Sequence, residues 1–187
     1  MPYVAGTLRD AVRQFCDALN RVLATTVTQR RLVDIGSLDS PNARRQIAFR
    51  QAGVVVPADL NTRFGLIELY VGQTCDSIPL RGGQRQLFTV KYRYTLSPVG
   101  QSDPLFRWEY DRELPDPWCR HHLQGTVPVQ VGGREVRLND WHLPTGYVPI
   151  EEILRFCIVD LGVRPLSDGW DEILTESYNQ FRTDQRV

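Results

Sequence analysis

The residues best suited to proton transfer are gathered in one stretch. All three histidines, His121, His122 and His142, fall between positions 121 and 142, and Lys91, Arg93, Arg107, Glu109 and Asp111 lie shortly before them. An imidazole with its ordinary pKa near 6.5 can accept or donate a proton at neutral pH. Metal-free cleavage of RNA needs a base for the 2′-hydroxyl proton, an acid for the leaving oxygen and a cation facing the charge that develops on the phosphate. Here His122 is the candidate base and His142 the candidate acid. Arg93, Arg107 and Lys91 are the candidate phosphate clamp, Asp111 can orient an imidazole, and His121 completes the imidazole set.

Two other readings of the same residues stay open. Cys119-x-His121 joined by His142 or Cys75 supplies zinc-ligand types, although no compact ligand pair of the usual spacing accompanies it. A solvated sheet face carrying ordinary histidines is the plainest alternative, with cross-strand ion pairs worth about 0.2–1 kcal/mol each. The sequence contains no phosphate-cradling G-x-x-x-x-G-K-[ST], no G-x-G-x-x-G after a strand, no H-E-x-x-H and no G-x-S-x-G. Nucleotide-driven chemistry, zinc proteolysis and α/β-hydrolase activity lose support, and no cofactor is expected.

Strands must position these groups. From Gln86 to Thr95, Phe88, Val90, Tyr92 and Tyr94 alternate with Thr89, Lys91, Arg93 and Thr95. From Leu105 to Arg112, Phe106, Trp108 and Tyr110 alternate with Arg107, Glu109 and Asp111. Pro98, Gly100 and Pro104 mark the connection. The five aromatic residues suit either base stacking or a core beneath helices. If Cys119–Gln124 is extended, Cys119, His121 and Leu123 share one side while Arg120, His122 and Gln124 share the other. His122 is then the histidine for a polar site. Val127–Leu138 predicts a hairpin about Gly132-Gly133 that pairs Val131 with Arg134 and Val129 with Val136. Phe64–Val71 and Arg31–Ile35 read as further strands.

Helices flank this region. Leu8, Ala11, Val12, Phe15, Leu19, Val22 and Leu23 recur at helical spacing, which predicts an amphipathic helix over 7–24 capped by Thr7. Ser40 and Pro41 suit the start of a shorter helix ending near Ala52. Ile150, Ile153, Leu154, Cys157, Ile158 and Leu161 form a stripe ended by Gly162, and Trp170, Ile173, Leu174, Tyr178 and Phe181 form a last one. Strands followed by helices indicate an α+β fold, a central antiparallel sheet covered by N-terminal and C-terminal helices. Residues 1–187 read as one domain, with a helical part over 1–60, the sheet over 61–140 and helices over 145–187.

Composition narrows the classes. The chain of 187 residues carries 22 Lys+Arg against 22 Asp+Glu, which excludes a generally basic nucleic-acid coat. Residues 138–187 hold 4 basic and 9 acidic side chains, a net −5, behind a mildly basic body. This suits either two solvated helix faces or a basic partner. Lys91 is the only lysine, so nearly all cations are planar, bidentate donors for carboxylate or phosphate. No apolar run reaches the roughly 18 residues of a membrane helix, no secretory signal is read at the start, and the four cysteines form no dense framework. A cytoplasmic protein is expected.

The segments VKYRYTL (Val90–Leu96), FRWEYDRE (Phe106–Glu113), RHHLQG (Arg120–Gly125) and WHLPTGYVPIEEILRF (Trp141–Phe156) follow one another in an order that resembles the TumE-type toxins of bacterial toxin–antitoxin modules. The resemblance spans about 85–160 and leaves the first eighty residues unmatched. It implies a cytoplasmic growth inhibitor held by an antitoxin, with RNA as target, and functional positions at Arg107, Asp111, His121 and His122. The competing expectation is a non-catalytic interaction module or subunit of a bacterial defence or regulatory assembly.

Overall fold

The computed structural model describes residues 3–36, 40–101, 103–115 and 119–184. Along the chain these form β1 (Val4–Ala5), α1 (Leu8–Thr26), β2 (Leu32–Asp34), β3 (Arg45–Gln51), β4 (Val54–Val55) and β5 (Ala58–Thr62). Next come β6 (Gly65–Pro79), β7 (Arg85–Pro98), β8 (Phe106–Asp111), β9 (His121–Gln124), β10 (Pro128–Val131) and β11 (Arg134–Arg137). β12 (Leu143–Pro144), α2 (Ile150–Val159) and α3 (Trp170–Asp184) complete the order. The main sheet is antiparallel and runs β12-β9-β8-β7-β6-β3-β2, with β1 added to β7, β5 to β6 and β4 to β3.

The long hairpin of β6 and β7 is its spine. Every second residue of β6, from Ile67 through Leu69, Val71 and Gln73 to Cys75, is buried on one side. α1 and α2 cover that side, and Leu8, Val12, Leu19, Leu23, Ile153, Leu154 and Cys157 pack there with Tyr94 and Leu96 in one core. Thr7 caps α1, its hydroxyl oxygen accepting from the Asp10 amide at 3.1 Å. Gly162, with φ +73°, follows α2 where a left-handed residue stops a helix. The aromatic strand positions belong to the core side. Phe156 of α2 packs edge-on against Phe106 and Trp108, and the Tyr92 hydroxyl accepts from the Val148 amide at 2.9 Å.

Three expectations are corrected. The segment starting at Pro41 contributes strand β3 rather than a helix. Arg45, Ile47 and Phe49 turn inward at alternate positions, and Arg45–Ala48 pairs with Gly72–Cys75, a tertiary ladder that outweighs the local start signals. The described part of the N-terminal sixty residues is therefore the short β1, one helix and then strands, and the sheet reaches outside 61–140 at both ends. In β7 the register shifts by one residue, since Thr74 pairs with Lys91 but Cys75 with Thr89. This bulge places Thr89, not Phe88, on the side of Tyr92 and Tyr94. Phe88 instead faces the other way beneath the Arg112 guanidinium. The Gly132-Gly133 hairpin has the expected register, Val131 with Arg134 and Val129 with Val136, but stands apart as a two-stranded ribbon.

Candidate active site

Helices cover one side of the sheet and leave the other to polar side chains. Because neighbours on a strand point to opposite sides, the ladder alone collects the candidate groups. Glu109 pairs with Arg93 on β7 and with His122 on β9, while Arg107 pairs with Gln124. Pro144 of β12 pairs with His122, which brings the preceding His142 alongside. A cleft of about 500 Å³ results, lined by Arg107, Glu109, Asp111, Leu114, Cys119, His122, Gln124 and His142.

Glu109 is the electrostatic hub. Its carboxylate accepts from Arg93 Nε at 2.6 Å and lies 3.1 Å from Arg107 Nε and 3.4 Å from His122 Nε2. The contact with Arg107 is close enough for an ion pair yet not aligned for a hydrogen bond. Buried Arg107 Nε therefore has no hydrogen-bond partner among the described residues. Asp111, the residue expected to orient an imidazole, instead holds Lys91 at 3.0 Å, a hydrogen bond that raises the lysine pKa.

Hydrogen bonds assign one nitrogen of each imidazole. His122 Nδ1 lies 3.1 Å from the Cys119 carbonyl, which can only accept, so Nδ1 carries a proton. A second proton on Nε2 would face the Glu109 carboxylate. Gln124 Oε1 accepts from Arg107 Nη2, so its amide nitrogen turns to His142 Nε2 at 3.1 Å. An N–H donor there requires a lone pair on His142 Nε2. The two rings stand edge-to-face with centroids 4.7 Å apart. His142 Nε2 is thus set to gain a proton, and His122 Nε2 lies nearby against the Glu109 carboxylate.

His121 is separated from this group. It lies on the helix-covered side, stacked on Tyr110 with centroids 4.3 Å apart and edge-on to Tyr147. Burial first, then the charges of Arg120 and His122, lowers its pKa below the ordinary histidine value. The zinc set is divided as well, because Cys75 is fully buried in the core and His121 faces away from His142. Among the described residues no three His, Cys, Asp or Glu side chains converge as metal ligands. Cys119 departs from the expected alternation. It precedes β9, its thiol donates to the His121 carbonyl, and it lines the open cleft with His122.

The structure thus brings His122, His142, Arg107 and Asp111 into one cleft, with Arg93 joined to it through Glu109, Lys91 held by Asp111 at the border and His121 apart. It adds Glu109 and Gln124, both legible from the two-residue period, since Glu109 lies between Arg107 and Asp111 and Gln124 two positions beyond His122. Comparison of the chain with protein-family models, curated proteins and solved structures finds no match. Among the described residues no helix is long and apolar enough to cross a membrane.

Proposed function

We propose that the protein is a toxin-like, metal-independent ribonuclease of a bacterial toxin–antitoxin or defence system, working in this cleft. The observation that carries the reading is the pair of adjacent imidazoles, one with an open acceptor nitrogen, beside two guanidinium groups on the same side of the sheet. The hydrogen bond from the Gln124 amide favours His142 as the base, the role that the sequence reading gave to His122. His142 takes the 2′-hydroxyl proton on Nε2, displacing the Gln124 amide, while His122 donates from Nε2 to the leaving 5′-oxygen. The 2′-oxygen bonds to phosphorus as the bond to the 5′-oxygen breaks, which gives a 2′,3′-cyclic phosphate and a 5′-hydroxyl end. Arg107 and Arg93 face the charge that develops on the phosphate, and the Glu109 carboxylate lies beside His122 Nε2.

The strands that line the cleft are also the ones that resemble the TumE-type toxins. The reading includes a protein antitoxin as partner and a cytoplasmic place of action. Induction of the wild-type chain is expected to arrest bacterial growth, and His142→Ala to relieve the arrest. Purified protein is expected to leave cyclic-phosphate RNA ends in the presence of EDTA. Equal toxicity of both chains, or toxicity from neither, overturns the reading. A stoichiometric protein partner without any RNA cleavage would favour the interaction module.

A further inference from the structure

A second cleft, about 360 Å³, opens on the same side of the sheet next to the first, and Glu109 and Asp111 wall both. That volume falls within the range of about 300–1,000 Å³ usual for small-ligand pockets. Its floor is built from small residues, because Ala48 of β3 pairs directly with Gly72 of β6. A Cβ on Gly72 would stand 2.6 Å from the Tyr70 hydroxyl oxygen and 2.9 Å from its ring. The missing side chain therefore allows the phenol ring to lie across its own strand and line the cleft. Lys91 and Arg93 flank the ring on β7, their side chains 43% and 57% exposed. Gln46 and Thr74, a cross-strand pair, complete the lining. The side-chain polar groups of Gln46, Thr74 and Tyr70 have no hydrogen-bond partner in the described residues.

We propose that this second cleft seats a nucleobase of the RNA strand, with Tyr70 as stacking surface and Gln46 and Thr74 at the base edge. The choice of RNA rests on the function proposed above, whereas the pocket itself rests on Gly72 and Tyr70. An aromatic ring against a flat floor, with cations at the rim and open donors and acceptors beside it, meets the needs of a base and its phosphate together. Three strand steps separate Gly72 on β6 from His122 on β9, about 14 Å at the usual spacing of neighbouring strands. The seated base and the phosphate between the imidazoles therefore belong to neighbouring nucleotides. Arg93, bound to Glu109 between the two clefts, is placed to contact the linking phosphate.

The test uses the full chain carrying His142→Ala, which separates binding from cleavage, titrated calorimetrically with each nucleoside 3′-monophosphate and with inorganic phosphate. A nucleotide should bind at least ten-fold tighter than phosphate. Tyr70→Leu, which keeps bulk but removes the ring, and Gly72→Ala, which lifts the ring, should each weaken nucleotide binding about ten-fold and leave phosphate binding unchanged. Nucleotides that bind no better than phosphate, or bind equally well after both substitutions, overturn the pocket even if RNA is cleaved. Nucleotide binding that depends on Tyr70 supports the pocket even if the wild-type chain cleaves nothing.

Discussion

The two sides of the sheet are made by the same strands and differ only in which alternate residues face them. On the covered side Leu69, Val71, Tyr94 and Leu96 meet α1 and α2, and even a charged residue is tightly enclosed. Arg45 is 1% exposed, with both Nε and Nη2 donating to Asp34. On the open side the cations are shared among carboxylates: Glu109 touches Arg93, Arg107 and His122, and Lys91 lies near Asp111 and Glu113. One side spends its contacts on excluding water, and the other keeps charged groups close to it. Stability should therefore reside on the covered side, and binding and catalysis on the open one.

Substitutions that separate the two sides sharpen this contrast. The largest expected loss is for Asp34→Ala, which strands the buried Arg45 guanidinium. Chemical denaturation should show a loss of about 3–5 kcal/mol. Leu69→Ala, at a fully buried position, should cost about 2–5 kcal/mol in the same assay. On the open side Glu109→Gln should change stability by no more than about 1 kcal/mol, because the substitution keeps the side chain's shape and Arg93, its hydrogen-bonded partner, is exposed. It should nonetheless tighten RNA binding, measured by fluorescence anisotropy, by freeing Arg93 and Arg107, and slow cleavage by removing the carboxylate beside His122. A multi-kcal/mol loss from Glu109→Gln would break the division between the sides.

Two titrating groups of the covered side give smaller, pH-dependent effects of opposite sign. Burial lowers the His121 pKa, so below about 6.5 the unfolded chain binds more protons than the folded one. Stability should fall as the pH drops below that value, and His121→Phe should flatten the thermal melting profile there. Glu151, in the first turn of α2, accepts from the Ser177 hydroxyl, and burial raises its pKa above the usual 4.5. The folded chain then binds more protons above pH 4.5, and stability falls as the pH rises through the interval between the two values. Glu151→Gln should raise the melting temperature at neutral pH and have little effect at pH 4.

Much of this is legible in the sequence. The two-residue period placed Arg93, Arg107 and Glu109 on one side of their strands, and it divided His122 from His121. The helical stripes located α1, α2 and α3. What failed had a common cause in pairing between distant segments. Residues 45–51 carry helix-start signals, but Gly72–Cys75 offers them a ladder. The bulge opposite Thr74 and Cys75 turned Phe88 outward, which the alternation of β7 alone would not show.

Hydrophobic spacing and side-chain alternation are local properties, so the chain on its own determined the α+β class, the helices and the side of each strand on which a histidine or arginine lies. Tertiary structure decided which of those sides meet. It placed His142 at His122 through the pairing of β12 with β9, made Glu109 the shared partner of both guanidiniums, and set Tyr70 across Gly72 beside Ala48. Those outcomes depend on strand order and register, which come from burying one continuous core rather than from any single segment.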